Sequence, residues 1–313
     1  MTDMDHLTYG DVTAAAGRVA GRVRPLAVAP AEDDGTWFAL EFLQHTGTFK
    51  ARGAINFIRA HQEAGTLPDA GVTIASGGNA GLACAWAARD QGVRATVFLP
   101  ETAPAVKVAR LRGYGADVRL TGAEYAEALD ACRAYAAGSG ALASHAYDHP
   151  LIAAGAGTLM EELRERLPDL DTVVVSVGGG GLFAGVAASA HEHGVRVVAV
   201  EPQECRALNA ALAAGEVVDV TVVSVAADAL GARRVTPLAL WAAQRYDVCS
   251  VLVPDGEIVG ARRHLWDEHR IAVEHAAAAA LAGLRVYGPA AGERAAVVLC
   301  GANTDPGDLA RPA

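Results

Sequence analysis

Short β-branched runs alternating with alanine- and arginine-rich segments predict an α/β protein built on doubly wound parallel sheets. Three observations carry that expectation. The runs are apolar throughout rather than alternating, as strands covered on both faces are. Hydrophobic residues make up 52% of the chain and aromatics only 5%, with much alanine, which favours helices and lets them pack closely on a sheet. Several runs end in a glycine-rich turn that opens into a helix, the place where open α/β sheets collect ligands.

Taken in order, strands are expected over Val72–Ala75, Ala95–Phe98, Asp117–Leu120, Thr172–Val177, Val195–Val200, Asp247–Val253 and Ala295–Cys300. Helices are expected over Ala51–Ala64, Ala80–Gln91, Pro104–Gly113, Glu124–Ser139, Gly155–Arg166, Leu182–His193, Ile258–Glu268 and His275–Tyr287. The segment Ser144–Pro150 carries turn residues and a proline, and is the expected crossing between two domains. The 313 residues suffice for two such domains, and with 13 residues after Cys300 no separate regulatory domain is expected there.

Charge and composition exclude several function classes. Lysine plus arginine number 26 against 36 acidic residues, a formal charge of −10, and no basic run is present. This argues against a nucleic-acid partner or an anionic membrane surface. The start, Met1–His6, lacks the basic and apolar segments of a signal peptide, and no apolar stretch is long enough to predict a membrane span. Cys84, Cys132, Cys205, Cys249 and Cys300 are scattered, without Cys-x-x-Cys spacing or histidines at ligand distance. Free thiols and a cytoplasmic location are expected.

Of the 26 basic residues only Lys50 and Lys107 are lysines. Arginine carries charge but cannot readily shed a proton and attack a carbonyl, so a lysine kept in such a chain draws attention as an amine. Lys50 is either a surface residue at a helix start or a Schiff-base nucleophile. Lys107 sits in an expected helix with no glycine turn beside it in sequence, and no chemistry is assigned to it.

Three strand-end turns bear on that choice. Gly178-Gly179-Gly180-Gly181-Leu182 lets successive backbone N–H groups face one anion beside a helix N-terminus, as a phosphate requires, or is a tight structural turn. It matches neither the triphosphate-binding nor the dinucleotide-binding glycine pattern. Ser76-Gly77-Gly78-Asn79-Ala80 offers backbone donors to a small carboxylate, with Ser76 as a helix cap the plainer alternative. Cys300-Gly301 ends the last strand, and Cys300 alone reads as a core cysteine. An amine, a phosphate cradle and a carboxylate cradle together meet the requirements of pyridoxal phosphate chemistry.

Thr46-Gly47-Thr48-Phe49-Lys50-Ala51-Arg52-Gly53-Ala54, Ser76-Gly77-Gly78-Asn79, Gly178–Leu182 and Cys300-Gly301 occur in an order and spacing that resemble fold type II pyridoxal phosphate enzymes, the tryptophan synthase β-like group. Within it the chain most resembles the serine/threonine dehydratases and serine racemase-like proteins, over roughly residues 35–305. Supporting segments are Tyr147–Pro150, Gly155–Thr158, Val200–Pro202 and Asp228–Leu230. The resemblance implies two doubly wound open-sheet domains, a large one of residues 1–69 and 146–313 and a small one of residues 70–145. It also implies a homodimer acting on a small amino acid.

Carried over by position, the resemblance makes Lys50 the Schiff-base lysine and the base at Cα. Phe49 would pack on the cofactor ring and Asn79 would bond its hydroxyl. Gly178, Gly179, Gly180, Gly181 and Leu182 would hold the phosphate, and Cys300 would face the ring nitrogen. Ser76, Gly77, Gly78, Asn79 and Ala80 would bind the substrate. The implied reaction is β-elimination from a β-hydroxy amino acid such as L-serine or L-threonine, giving a 2-oxo acid and ammonia.

Departures from the pattern shape the alternatives. Racemase relatives carry a serine where this chain has Gly77, so a second base on the far face of Cα is not expected. They also pair a glutamate with an aspartate six residues later at a metal site. Here Glu201 is followed six residues later by Ala207, so the second carboxylate is missing and no metal is expected. Asn79-Ala80, Ala229 and His275 replace more usual residues, as a specialised substrate would allow. β-Replacement, racemisation, a non-catalytic cofactor carrier and a plain dinucleotide-binding domain are the competing possibilities.

Overall fold

The computed structural model of the chain describes residues 6–31 and 35–309; the expectations for Met1–Asp5 and for the ends of the outer domain ranges lie outside them. The first described helix, α1 (Tyr9–Val19), is one the apolar pattern did not predict. Thr8 caps it by accepting from the Asp11 backbone N–H, while the Asp11 carboxylate accepts from the Thr8 N–H at 2.9 Å. The strands β1 (Val28–Pro30) and β2 (Thr36–Ala39), also unpredicted, form an antiparallel pair at a sheet edge. The helix α2 (Lys50–Glu63) follows and begins at the lysine itself.

Four parallel strands come next: β3 (Val72–Ala75), β4 (Ala95–Leu99), β5 (Asp117–Leu120) and the two-residue β6 (Leu142–Ala143). They alternate with α3 (Asn79–Asp90), α4 (Ala105–Gly113) and α5 (Tyr125–Ser139). The sheet they build has the order β5-β4-β3-β6. Helix α6 (Pro150–Arg166) starts five residues before the expected Gly155, because proline at its first turn lacks only an N–H that would be unpaired there anyway. The proline of the expected crossing segment is thus a helix start.

The remaining elements are β7 (Thr172–Ser176), α7 (Gly181–Glu192), β8 (Arg196–Pro202), α8 (Ala207–Ala214), α9 (Ala227–Leu230), α10 (Pro237–Arg245), β9 (Val248–Val253), α11 (Asp255–His269), α12 (His275–Tyr287) and β10 (Ala295–Val298). Among the described residues the second sheet has the order β1-β2-β10-β7-β8-β9, parallel except for the β1–β2 pair. Its central strands are buried along their whole length, as apolar runs require.

Helix α2 is locked against α6 by close backbone approach. A Cβ on Gly53 would lie 2.6 Å from the Ile152 carbonyl, and one on Gly155 would lie 2.6 Å from the Arg52 carbonyl. At the same contact the fully buried Arg52 guanidinium pairs with Glu41 and Glu162, each at 2.5 Å, and donates to the Thr158 hydroxyl at 3.3 Å. Two carboxylates hold this cation charged despite its burial, and replacing Arg52 would leave the buried Glu41 carboxylate without its cation.

Candidate functional site

Parallel strands end at one edge of their sheet, so the segments that follow them gather there. The turns after β3, β4 and β6 meet those after β2, β7 and β10, and a pocket forms between them. The segment before Lys50 is stitched to the end of β10. Phe49 N–H donates to the Cys300 carbonyl at 3.0 Å, Ala302 N–H donates to the Gly47 carbonyl at 2.9 Å, and Thr48 bridges Gly301. Thr46 holds a φ of 64°, uncommon for a residue with a Cβ, and so marks local strain beside the lysine.

Lys50, Phe49, Asn79, Gly178–Leu182 and Cys300 all line this pocket, together with Tyr147, Ser176 and Glu274. The Lys50 Nζ donates to the Ala146 carbonyl at 3.0 Å and lies 4.8 Å from the Phe49 ring centroid. Burial pushes its pKa down to about 8, against the opposing pull of Cys300 and Glu274. A neutral, nucleophilic amine is therefore accessible near physiological pH.

The glycines after β7 are required by their surroundings. A Cβ on Gly179 would meet the Tyr147 ring at 2.2 Å, and one on Gly181 would meet the Tyr147 carbonyl at 2.7 Å; Gly180 has a φ of 95°. Among the described residues the N–H groups of Gly178, Gly179 and Gly180 have no hydrogen-bond acceptor. With the N-terminus of α7 beside them they form a concave row of free donors suited to an anion. This cradle, the amine and the aromatic wall fit a phosphorylated aldehyde cofactor.

Cys300 is buried, with its sulfur 3.7 Å from the Ser176 hydroxyl. Burial, reinforced by Glu274, pushes the thiol up to about 12, so it stays neutral. Asn79 donates to both Glu274 oxygens, at 3.0 and 3.1 Å, and accepts from the Asn303 side chain at 2.7 Å. Burial also raises the Glu274 pKa.

A wider cavity of about 560 Å³ opens in front of the lysine, lined by Ser76, Gly77, Gly78, Asn79 and Ala80 and, across from them, by Leu99, Tyr125 and Asp228. Ser76 does not cap α3, whose capping position is Gly78 with no side-chain bond. A Cβ on Gly77 would lie 2.8 Å from Leu99 Cδ2 and 3.8 Å from Lys107 Cδ. Lys107, assigned no chemistry from sequence, thus lies beside the same loop and lines the same cavity with Arg110. The reason is topological: β3 and β4 are parallel neighbours, so the helix after β4 starts next to the turn after β3.

The sequence assigned no role to Tyr147, Arg110 or Asn303. Their one advance signal was position, since Tyr147 follows β6, Arg110 lies on the helix after β4, and Asn303 follows β10. Glu201, at the position of the relatives' metal-site glutamate, has a different task. Its oxygens accept from the N–H groups of Leu208 at 2.7 Å and Asn209 at 2.8 Å in the first turn of α8, which begins at Ala207. Burial pushes its pKa up to about 7. Among the described residues no cluster of histidine, cysteine or carboxylate side chains is placed to hold a metal ion, and no helix is long and apolar enough to cross a membrane.

A family model of pyridoxal-phosphate dependent enzymes matches residues 22–301. The biosynthetic L-threonine dehydratase of Haemophilus influenzae is 35% identical over 275 residues, 85% of this chain and 53% of that one. The chain thus spans about half the length of that relative. Phenylserine dehydratase of Ralstonia pickettii is 34% identical over 325 residues, covering 99% of this chain and 98% of its own. Among solved structures, maize serine racemase superposes with a TM-score of 0.89 at 27% identity, covering 97% of this chain and 95% of its own.

Proposed function

Since the chain belongs to the pyridoxal-phosphate dependent enzyme family, we propose that it catalyses β-elimination from a β-hydroxy amino acid, releasing a 2-oxo acid and ammonia. The observation that carries this is the convergence of the Lys50 amine, the glycine row Gly178–Gly181 and the loop Ser76–Ala80 on one pocket. In this proposal Lys50 would anchor the cofactor, Phe49 would flank its ring, Asn79 would donate to its ring oxygen, Gly178–Leu182 would hold its phosphate and Cys300 would face its ring nitrogen. When bound, pyridoxal phosphate supplies the electron sink that loosens the bonds at the substrate's Cα and Cβ.

The chain's own groups do the rest. The loop Ser76–Ala80 orients the substrate carboxylate through backbone donors at a strand end. The Lys50 Nζ, its pKa lowered to about 8 by burial, takes the Cα proton from one face. Gly77 has no proton to offer as a second base, and a Cβ there would have to displace the end of Leu99. Elimination through a single base follows, rather than two-base racemisation. The Cys300 thiol, kept neutral by burial, would not force a proton onto a ring nitrogen held beside it, a setting that would suit rapid loss of a β-hydroxyl.

The cavity's size and its walls of Leu82, Leu99 and Tyr125 leave room for a β-substituent larger than a methyl group. L-Serine, L-threonine and L-phenylserine should therefore be assayed together for ammonia and 2-oxo acid. Absence of product from all three would reject the proposal. Residues 70–145 are proposed to move as the substrate-side unit against 1–69 and 146–313, within a homodimer. A cytoplasmic setting is inferred from five cysteines that are all free.

A further inference from the structure

We propose that Asn303 and Arg110 are positioning residues, the middle and outer links of a polarised side-chain relay that fixes which end of the Asn79 carboxamide faces the cofactor pocket. A carboxamide has a donor end and an acceptor end of nearly the same shape, so its orientation is set by its partners. Here the relay is bounded by groups whose polarity is not negotiable. The Arg110 guanidinium only donates, and it donates to Asn303 Oδ1 at 2.7 Å. The Thr46 carbonyl only accepts, and it takes a proton from Asn303 Nδ2 at 2.8 Å. Asn303 can therefore sit only one way round.

Its Nδ2 also donates to Asn79 Oδ1 at 2.7 Å. That turns the Asn79 amide nitrogen toward Glu274, whose two oxygens accept it at 3.0 and 3.1 Å. A protonated Glu274 would still keep an acceptor, so the polarity survives the rise in its pKa that burial causes. The backbone closes around this relay. A Cβ on Gly301 would strike Glu274 Oε1 at 2.5 Å, and one on Gly47, at a φ of 76°, would lie 3.2 Å from Asn303 Oδ1. The strained Thr46 is the residue whose carbonyl Asn303 reads.

The relay also crosses between the two sheets. Arg110 lies on α4, after a strand of the four-stranded sheet, and Asn303 follows β10 of the six-stranded one. Arg110 is exposed at the cavity rim, so the outermost restraint on a pocket-lining donor is a cation at the entrance. The two oxygens of one carboxylate share a single N–H of the Asn79 amide, so the consequence for the site is that the second N–H of the same fixed nitrogen is left to donate, as an ionised ring oxygen would require. This inference rests on the pyridoxal phosphate reading.

The test titrates pyridoxal phosphate into apoprotein, following cofactor affinity and the visible band of the lysine-bound form, with thermal melting of the apoprotein as the fold control. Asn303→Asp places an acceptor against the Thr46 carbonyl and Asn79 Oδ1, and should weaken cofactor affinity about tenfold or more and shift the band. Arg110→Glu, at an exposed position where folding is not at stake, should weaken it by a smaller factor of about three through repulsion at Asn303 Oδ1. Arg110→Met, which only removes the outer donor while Thr46 still orients Asn303, should fall between wild type and Arg110→Glu. A folded Asn303→Asp protein and an Arg110→Glu protein that both bind with wild-type affinity and spectrum would overturn the relay. If wild-type apoprotein fails to bind the cofactor at all, the pyridoxal phosphate reading fails instead.

Discussion

The two glycine-rich turns of the site are built to different tolerances. After β7, Gly179–Leu182 are buried, and added Cβ atoms would run into the Tyr147 ring, its backbone, or the side chains of Val235 and Ala239. After β3, Ser76–Asn79 are only half-buried; Gly78 has nothing within 4 Å of an added Cβ, and Gly77 meets mainly the movable end of Leu99. One turn is a fixed mould and the other a face with slack. A cofactor that stays bound rewards a rigid anion cradle, whereas a substrate that enters and leaves on each turnover needs a side that can adjust.

The largest expected effect lies on the rigid side. Lys50→Ala should remove turnover and the visible band of the lysine-bound cofactor, a loss well beyond the ~10²–10⁴-fold typical of a general base alone, because the anchor goes with the base. Measuring both absorbance and ammonia release checks it. Next, Gly181→Ala should weaken cofactor affinity by about tenfold or more, since the Tyr147 backbone cannot yield as a flexible side chain could. Gly78→Ala should instead change cofactor affinity hardly at all and substrate KM only a few-fold. Equal losses of cofactor affinity in the two variants would break the comparison between the turns.

A smaller effect tests the lysine without any ligand. Folded apoprotein holds Lys50 at about 8, against an ordinary value of 10.5. Between those pH values the unfolded chain binds a proton the folded one does not, so stability gained from this group rises as pH goes from about 8 to about 10.5. Below about 8 the full penalty of a buried charge stands. Lys50→Met should therefore raise the apoprotein melting temperature at pH 7 by about a few degrees, and the difference should shrink as the pH is raised toward 10.

Most of the frame was legible in the residues because buried parallel strands announce themselves. Val72–Ala75 and Asp117–Leu120 match their expected ranges, and the other expected strands differ only at their ends. The edge pair Val28–Pro30 and Thr36–Ala39 was not legible, since it is short and its outer strand is only partly buried. The lysine and the glycine turns could be singled out because each has a local chemical signature. Lys107, Tyr147, Arg110 and Asn303 carry none. They reach the site because neighbouring parallel strands deliver their following segments to one edge, a property of pairing that no single stretch of chain contains.

Two lysines line one cavity, and Lys50 alone is proposed to carry the cofactor. Borohydride reduction of the holoprotein, followed by peptide mapping, tests it most directly by fixing the cofactor to whichever amine holds it. The phosphopyridoxyl group is expected on the peptide containing Lys50 and not on that containing Lys107. Label on Lys107, or on neither lysine of a protein that still releases ammonia, would contradict it.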